Sequence, residues 1–530
     1  MSRIRPSFTR KALTLGISLA LGGFGLAAAA QAGSGPTLVI ALSGDSTGLD
    51  PQMVLNNDST YVMSAIYDQL VEYKPGTTEI VPGLADKWTI SKDGLTYTFH
   101  LRPGVKFHDG TPCDADAIVK WLDRQLNKDN PNYWGKKAGV DNMVDFTFPG
   151  VDGWKMLNAS TVTIHMTKPN AEFLSSLAMA EEGVTSPAAI EKYGPDYYKH
   201  PVGTGPFKFV EWVPNDHVTL EANSAYFKGQ PKLGKLVYRV VPESAVRSME
   251  LMKGSIDVIA DITPLDAKTL AGNPNIKVLQ QPGLLVSGVA LPTQTKPFDD
   301  PKVRQALNFA VDKDTLDKYL FKGLATAMNA PLPPTQWGYD KSLPGYPYNP
   351  QKAKQLLASA GYPDGFTATL YIYPGQKSYN PVGGPDLSQA LQADLKKVGV
   401  TLKIQQLESG ALFAKVHAKD FTDMALAGWS GDNGDPDNFI GSLWASSNIP
   451  SINTARYVNP KVDDLLAKGL EATDVKMRLK IYKEAQKIIM DDAPWIFLNY
   501  PAQLRAVSAK VSGMVLSPTA MFFDMEKVSK

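Results

Sequence analysis

Cysteine and histidine are scarce in this chain of 530 residues, which contains one cysteine and six histidines. A lone Cys113 cannot form an intramolecular disulfide, so the fold depends on burying a hydrophobic core. No two histidines are four positions apart and none is adjacent to the cysteine, so the spacing typical of a transition-metal site is missing. The sequence therefore predicts no metal site, and we expect no cofactor.

An excess of charge of one sign is also missing, because 54 Lys and Arg residues stand against 53 Asp and Glu residues. A near-neutral chain argues against a nucleic-acid partner. Hydrophobic residues make up 43% of the chain and charged residues 20%, which is typical of globular rather than disordered proteins. A chain of this length is expected to divide into two or three domains.

Long apolar runs are confined to the N-terminus. A basic stretch over residues 1–11 precedes an apolar run over residues 12–30, and Ala30-Gln31-Ala32 follows as a small-residue cleavage site. This order is typical of a secretory signal peptide, so we predict that residues 1–32 are removed. No later run approaches the ~20 apolar residues that a membrane-spanning helix needs. Together with the missing disulfide, these features predict an exported protein of the bacterial periplasm.

Short apolar segments alternate with amphipathic segments along the rest of the chain. The apolar segments predict strands, and the amphipathic ones have the spacing of helices. This alternation is typical of the α/β class and predicts a largely parallel sheet. The clearest predicted strands cover residues 37–42, 366–373 and 400–404, and the clearest predicted helices cover residues 58–70, 387–398 and 463–490.

One stretch rich in glycine and asparagine, Gly428 to Phe439, follows an apolar run over residues 424–427 that is predicted to be a buried strand. Three glycines, one proline and two asparagines predict that a tight turn ends the strand. The turn would display one large aromatic side chain and three carboxylates. Trp429 offers a flat apolar surface with one N–H donor, and Asp432 offers an acceptor for a cationic group. Ligands of α/β proteins bind beyond the carboxyl ends of strands, so this stretch is the candidate site.

Two other kinds of chemistry remain open for the same residues. The carboxylates of Asp432, Asp435 and Asp437 are spaced differently from those of an EF-hand, which weakens a calcium site. Asp432 and Asp435 could also serve as the acid and base of a secreted hydrolase. Ser46 lies in a formal G-x-S-x-G pattern, but Pro51 follows shortly after, where a hydrolase elbow requires a helix. The hydrolase hypothesis is therefore the weaker one.

Several segments resemble one family, the family-5 extracellular solute-binding proteins that deliver peptides, nickel or opines to ABC importers. The matching segments run in register through the chain after residue 32: YDQLVEY at 67–73, PGLADKW at 82–88, TYTFHLR at 96–102, KFHDG at 106–110, VGTGPF at 202–207 and VRQALNFA at 303–310. Within the family, the stretch Gly428 to Phe439 is most similar to dipeptide-binding members.

The resemblance implies a two-lobed periplasmic binding protein fold (type II, cluster C-like) with three domains and a hinge. Domain I would combine residues 33–80, 201–293 and 506–530, domain II would be the insert 81–200, and domain III would cover 294–505. It also implies a function: a monomer that captures short peptides, from dipeptides to oligopeptides, and delivers them to an inner-membrane ABC permease. Such a protein would not be an enzyme. A haem, an opine or a metal–chelator complex remains the alternative ligand.

The resemblance implies roles for the loop residues as well. Asp432 would bind the α-ammonium group of a peptide, and Trp429 would line its side-chain pocket. The neighbouring loop positions would complete the contact, and they are Gly428, Ser430 and Gly431.

One position departs from the family pattern. Dipeptide-binding members carry an arginine just before a Tyr-Asn-Pro segment, and this arginine binds the carboxylate of the peptide. Here Lys377 precedes the corresponding segment, which begins at Tyr379. Lysine is a flexible point charge without the planar fork of arginine, so a longer peptide or a ligand with its anion elsewhere becomes plausible. Asn56 and Asn57 replace small residues in a loop of the first lobe and are expected to add polar contacts.

Overall fold

The computed structural model describes residues 35–53, 56–133, 147–519 and 525–530, so the predicted signal peptide lies outside the described residues. The strands of the described chain follow in order: β1 Thr37–Leu42, β2 Val71–Tyr73, β3 Ile80–Pro82, β4 Ala85–Ile90, β5 Thr96–Leu101, β6 Val151–Asn158, β7 Thr161–Met166, β8 Phe207–Val213, β9 His217–Ala222, β10 Lys235–Val240, β11 Val258–Ile259, β12 Ile276–Pro282, β13 Leu285–Ala290, β14 Ala325–Ala327, β15 Thr367–Ile372, β16 Thr401–Gln406, β17 Met424–Ser430 and β18 Trp495–Ser508.

Helices connect most of these strands. The α-helices of the described residues are α1 Asn57–Met63, α2 Ala115–Leu126, α3 Phe173–Leu177, α4 Pro187–Tyr193, α5 Ser244–Lys253, α6 Pro264–Leu270, α7 Pro301–Ala310, α8 Lys313–Thr315, α9 Pro350–Ser359, α10 Gly384–Lys396, α11 Ser409–His417, α12 Asp437–Trp444, α13 Pro460–Glu471 and α14 Val475–Asp492. Shorter 3-10 turns include Ala180–Glu182, which lies near the candidate site. Among the described helices, none is long and apolar enough to cross a membrane.

The main sheet has twelve strands in the order β16-β15-β17-β13-β18-β11-β1-β10-β9-β8, with β12 and β14 also paired to β18. Among the strand pairs of the described residues, only β1 with β10 and β11, and β15 with β16 and β17, are parallel. The α/β class is confirmed, but the prediction of a largely parallel sheet is wrong. A continuous apolar run shows that both faces of a strand are covered and does not report the direction of its neighbours. β13 is buried throughout and is nevertheless antiparallel to β17 and β18.

The long strand β18 connects the two halves of this sheet. Its first residues pair with β13, and residues 502–508 pair with β12. The hydrophobic core that the side chains join also changes between these two halves. Leu279 packs with the core around β1, whereas Leu284 packs with the core around α12. The chain therefore crosses from one half to the other near Gly283, and β18 crosses back beside it. Residues 33–530 group as one compact unit, so the predicted division into three domains stays a prediction.

A second, four-stranded antiparallel sheet has the order β4-β5-β7-β6. Its hairpin between β4 and β5 turns at Ser91 to Gly94, where Gly94 has a φ of +75°. Side chains of this sheet, including Phe99 and Val162, pack in one core with Trp121 of α2 and Phe173 of α3. This sheet therefore has a hydrophobic core of its own.

Two predicted helices have different bounds in the structure. The helix predicted over 58–70 ends at Met63. The helix predicted over 463–490 is two helices, because Asp474 caps a new helix by accepting a hydrogen bond from Met477 N.

Candidate functional site

The candidate loop is shorter than predicted. β17 continues to Ser430, which pairs with Leu285, and α12 begins at Asp437. Gly431 ends the strand by donating its N–H to the carbonyl of Leu284 at 2.7 Å. A Cβ atom at Gly431 would lie 2.8 Å from side-chain atoms of both Leu284 and Phe439, so only glycine fits there. The turn is therefore confined to residues 431–436.

Asn438 holds the two principal site residues in place. Its Oδ1 accepts a hydrogen bond from Trp429 Nε1 at 2.9 Å and another from the backbone N–H of Asp432 at 3.1 Å. Asn438 is fully buried in the first turn of α12. The orientation of the indole and the start of the loop therefore depend on one rigid amide.

A cavity of about 480 Å³ lies against this loop, and we call it the first cavity. The structure brings five predicted site residues together in its lining: Lys377, Tyr379, Gly428, Trp429 and Asp432. Ser430 and Gly431 lie at the strand end outside the lining, and their predicted contacts with a ligand stay a prediction. Most of the remaining wall is apolar and comes from α11, α12 and more distant segments, including Leu412, Phe413, Val416, Leu443, Ile452 and Trp495. The first cavity thus combines two charged groups with an apolar wall.

Asp432 carries no neutralising partner of its own. Burial, and to a smaller extent the carboxylate of Glu181, raise the pKa of Asp432 to about 8, against an opposing effect of the nearby Asn438 amide. None of the ion pairs within the described chain involves Asp432, and no positive charge there contributes to its pKa. Glu181 itself is buried and accepts a hydrogen bond from Thr60 Oγ1 at 3.0 Å. Two carboxyl groups therefore create a site that favours a cation.

Lys377 lies on a tight turn after β15. Reciprocal backbone hydrogen bonds of 3.1 and 2.8 Å between Lys377 and Asn380 close the turn. Burial alone lowers the pKa of Lys377, so no carboxylate of the described chain offsets its charge. Its Nζ lies 5.7 Å from the centre of the Tyr373 ring. An anionic group of a ligand would relieve the cost of burying this ammonium group.

Tyr379 explains why position 428 is a glycine. A Cβ atom at Gly428 would lie 2.1 Å from Cδ2 of Tyr379, so the tyrosine ring rests directly on the strand backbone. The ring also packs edge-on against Tyr373, with centroids 6.2 Å apart. Gly428 therefore serves the site by accommodating an aromatic wall.

The two asparagines of the first-lobe loop lie at a second cavity of about 710 Å³, which Lys377 also lines. The Asn56 side chain is already engaged: it caps α1 by accepting from Ser59 N at 3.1 Å and donates to the carbonyl of Asp45 at 3.1 Å. Asn57 Nδ2 donates to Ser378 Oγ at 2.9 Å, joining segments 321 positions apart. Their predicted contacts with a ligand stay a prediction.

The other carboxylates of the loop have internal partners. Asp435 accepts two hydrogen bonds of 2.7 Å from the guanidinium of Arg478, and both side chains are buried. Asp437 accepts from Tyr482 Oη at 3.2 Å. Asp435 is therefore engaged in a structural ion pair with Arg478. It is not available to act with Asp432 as the acid and base of a hydrolase. Ser46 is buried in the loop between β1 and α1 and does not line the first cavity.

Several residues at the site were not predicted. Asn438, which holds Trp429 and the backbone of Asp432, was within the candidate stretch but had no assigned role. Glu181, which acts on Asp432, and the cavity-lining residues Thr454 and Trp495 come from distant parts of the chain. No local pattern marks these three, because only the folding of the main sheet brings them to the loop.

Comparison with known proteins defines the class. Residues 79–451 match the family model of bacterial extracellular solute-binding proteins, family 5 middle region. The chain therefore belongs to this family, a class with a non-enzymatic transport role. The match confirms the resemblance inferred from the sequence.

Individual relatives span nearly the whole chain. Heme-binding protein A of Haemophilus influenzae is 37% identical, covering 92% of this chain and 91% of the relative. The dipeptide-binding protein of Escherichia coli is 35% identical, covering 96% and 97%. Among solved structures, DppA from Helicobacter pylori in complex with the peptide STSA is 34% identical with a TM-score of 0.82, covering 94% of this chain and 99% of that chain. A dipeptide-binding protein from Pseudoalteromonas in complex with Met-Leu is 29% identical with a TM-score of 0.83, covering 93% and 100%.

Proposed function

We propose that this protein captures short peptides in the periplasm and delivers them to the permease of an inner-membrane ABC importer. The observation that carries this proposal is that one acidic and one basic side chain line the same cavity, and neither has an ion-pair partner in the described chain. Asp432 would bind the α-ammonium group of the peptide, and Lys377 would bind an anionic group. A short peptide is a zwitterion, so its two ends complement these two groups.

The relatives support the same ligand class. Proteins named for dipeptide binding are 35% and 29% identical to this chain, and a relative was solved with the four-residue peptide STSA. The apolar wall of the first cavity suits a peptide side chain, since small-molecule sites are mostly apolar with a few fixed polar groups. Trp429 would form one face of that side-chain pocket.

We further propose that the two halves of the main sheet belong to two lobes that close over the ligand. The lobes would be joined by the strand crossings near Gly283 and within β18. Contacts between the proposed lobes support a closed arrangement: Asn57 with Ser378 at 2.9 Å and Asn433 with Glu172 at 2.7 Å. Closure would exclude water and strengthen the charge interactions of the site.

The proposal includes a cellular location and an assembly state. The signal peptide over residues 1–32 would be cleaved, and the released chain would act as a monomer without catalysing a reaction. Mass spectrometry of the protein isolated from the periplasm would show a chain beginning at Gly33.

The direct test is calorimetry with the chain from Gly33 and peptides of two to four residues, each with a free or an acetylated amino terminus. Acetylation removes the ammonium group, so the affinity is expected to fall at least tenfold, roughly 1.4 kcal/mol or more. Equal affinity for free and acetylated peptides would contradict the role of Asp432. No binding of any peptide would contradict the proposed function.

Haem is the second candidate, because Heme-binding protein A is 37% identical and the first cavity has an apolar wall. His417 also lines the cavity and packs against Phe413, with ring centroids 3.7 Å apart. Haem carries two carboxylates, which Asp432 and Glu181 would repel. Titration with haemin, followed by absorbance, distinguishes the two candidates, and competition with peptide shows whether they share the cavity.

A further inference from the structure

The turn at residues 431–436 is built by hydrogen bonds within its own half of the molecule. Asn433 Oδ1 accepts from the backbone N–H of Asp435 at 2.9 Å, and Asp435 Oδ1 accepts from the backbone N–H of Asp437 at 3.0 Å. Arg478 holds Asp435 through two further hydrogen bonds of 2.7 Å. The shape of the turn is therefore set by residues of that half.

The same turn is also contacted by a separate part of the fold. The core of the four-stranded sheet is formed by described residues between 70 and 184, which we call the small-sheet unit. Asn433 Nδ2 donates to Glu172 Oε1 of this unit at 2.7 Å, and the backbone N–H of Gly434 donates to Tyr73 Oη at 3.1 Å. These bonds join segments 261 and 361 positions apart. Because the turn is already formed within its own half, the two bonds serve to link that half to the small-sheet unit.

Gly434 allows the two parts to approach each other closely. A Cβ atom at this position would lie 2.3 Å from Cβ of Thr78, a residue of the small-sheet unit. The φ of Gly434 lies outside the left-handed region, so an alanine would fit the backbone of the turn itself. The requirement for glycine therefore comes from the contact with the small-sheet unit.

We propose that the small-sheet unit is a clasp on the turn that carries Asp432, with Tyr73 and Glu172 as positioning residues that hold the lobes closed over a bound peptide. This inference rests on the proposed function, because it assigns the clasp to closure over that ligand. Neither Tyr73 nor Glu172 lines the first cavity. A contact that stabilises only the closed state acts equally on all ligands that require closure. Breaking the clasp should therefore weaken different peptides by the same factor.

The first test blocks the clasp sterically, with calorimetry of Ala-Ala-Ala and of STSA on the chain from Gly33. Gly434→Ala places a methyl group against Thr78, so both affinities should fall at least tenfold, roughly 1.4 kcal/mol. Adding Thr78→Gly removes the clashing atoms and should restore both affinities to within about threefold. Small-angle X-ray scattering with saturating peptide should show a larger radius of gyration for Gly434→Ala than for the unmodified chain and the double variant.

The second test reverses a hydrogen bond. Asn433→Asp keeps the acceptor for the backbone N–H of Asp435 but sets a second carboxylate against Glu172, so both affinities should again fall at least tenfold, roughly 1.4 kcal/mol. Adding Glu172→Gln returns the total charge to that of the unmodified chain, and the new amide can donate to the new carboxylate. The double variant should bind both peptides within about threefold of the unmodified chain.

Tyr73→Phe and Tyr97→Phe form a matched pair. Both tyrosines belong to the core of the four-stranded sheet, but the Tyr97 hydroxyl donates to the carbonyl of Asn170 at 2.9 Å, within the small-sheet unit. Tyr73→Phe should weaken both peptides about fivefold, roughly 1 kcal/mol, whereas Tyr97→Phe should leave both affinities unchanged. Circular dichroism and thermal unfolding without peptide establish that each variant folds.

Three results would overturn the inference while leaving the proposed function in place: unchanged affinities in folded Gly434→Ala and Asn433→Asp, losses that differ between the two peptides, or losses that neither second substitution restores. Failure of both peptides, and of the other short peptides, to bind the unmodified chain would overturn the proposed function and the inference together.

Discussion

Asp432 and Asp435 are three residues apart in the same loop and have opposite environments. Asp435 is neutralised by two hydrogen bonds from Arg478, whereas the pKa of Asp432 is raised to about 8 by burial and by Glu181. Asp435 links the loop to α14 through Arg478, whereas Asp432 lines the first cavity and has no ion-pair partner in the described chain. The difference supports Asp432 rather than Asp435 as the proposed ligand contact, since structural carboxylates find their partners within the fold.

The largest expected effect is on the structural member of the pair. Arg478→Met leaves Asp435 buried without its cation, and we expect the free energy of unfolding to fall by roughly 3–5 kcal/mol. Urea denaturation measures this loss. Lys468→Met is the control, because Lys468 pairs with Asp464 on the exposed surface of α13, where an ion pair contributes little. Similar losses in the two variants would contradict the distinction between the carboxylates.

The next effect concerns binding. Asp432→Asn removes the carboxylate that would pair with the peptide's ammonium group, so peptide affinity should fall about 100-fold, roughly 3 kcal/mol. Stability of the ligand-free protein should stay the same or rise, because an unpaired buried acid is lost. Calorimetry and thermal unfolding measure the two quantities. Unchanged affinity in a folded Asp432→Asn protein would show that the assigned role is wrong.

The pH dependence of binding is the third effect. Below pH 8 the Asp432 carboxyl of the ligand-free protein is mostly protonated, and it must lose that proton to pair with an ammonium group. Peptide affinity should therefore rise about tenfold between pH 6 and pH 7 and level off near pH 8, where the peptide's amino group itself begins to lose its proton. Calorimetry in buffers of different ionisation enthalpy should detect proton release at pH 7. Asp432→Asn should abolish both signals.

The smallest effect is expected at Lys377, which retains some exposure. Lys377→Met should weaken peptides with a free carboxylate by about fivefold, roughly 1 kcal/mol, and should not affect their amidated forms. Lys377→Arg should bind the free carboxylate at least as well, because its planar fork can donate two hydrogen bonds. Equal losses for free and amidated peptides in Lys377→Met would place the peptide's anion elsewhere.

The fold class and the family were predictable because they depend on alternation and on motifs spread along the chain. The direction of the strands was not predictable. β13 is buried on both faces, and its apolar sequence is compatible with parallel and with antiparallel neighbours. In the site, the chemistry of Asp432 and Trp429 followed from their side chains and from the resemblance. The partner of Asp435 could not be predicted, because Arg478 is 43 positions away and no local pattern joins them.

The change of hydrophobic core along the chain shows the same limit, while the predicted domain boundaries stay a prediction. The core changes near Gly283, between Leu279, which packs around β1, and Leu284, which packs around α12. The change depends on which partner β13 joins, and that partner, β17, begins at Met424. Local patterns place elements along the chain, whereas the assignment of an element to a lobe depends on contacts between distant segments.

The turn that carries Lys377 has a further consequence for ligand length. Lys377 borders both cavities, and its neighbour Ser378 is tied to α1 by a hydrogen bond from Asn57 at 2.9 Å. The turn therefore contributes a residue to both cavities, and that side-chain hydrogen bond stabilises its position by only about 1 kcal/mol. Moving the turn would cost little, so a ligand too long for the first cavity could extend past Lys377 toward the second.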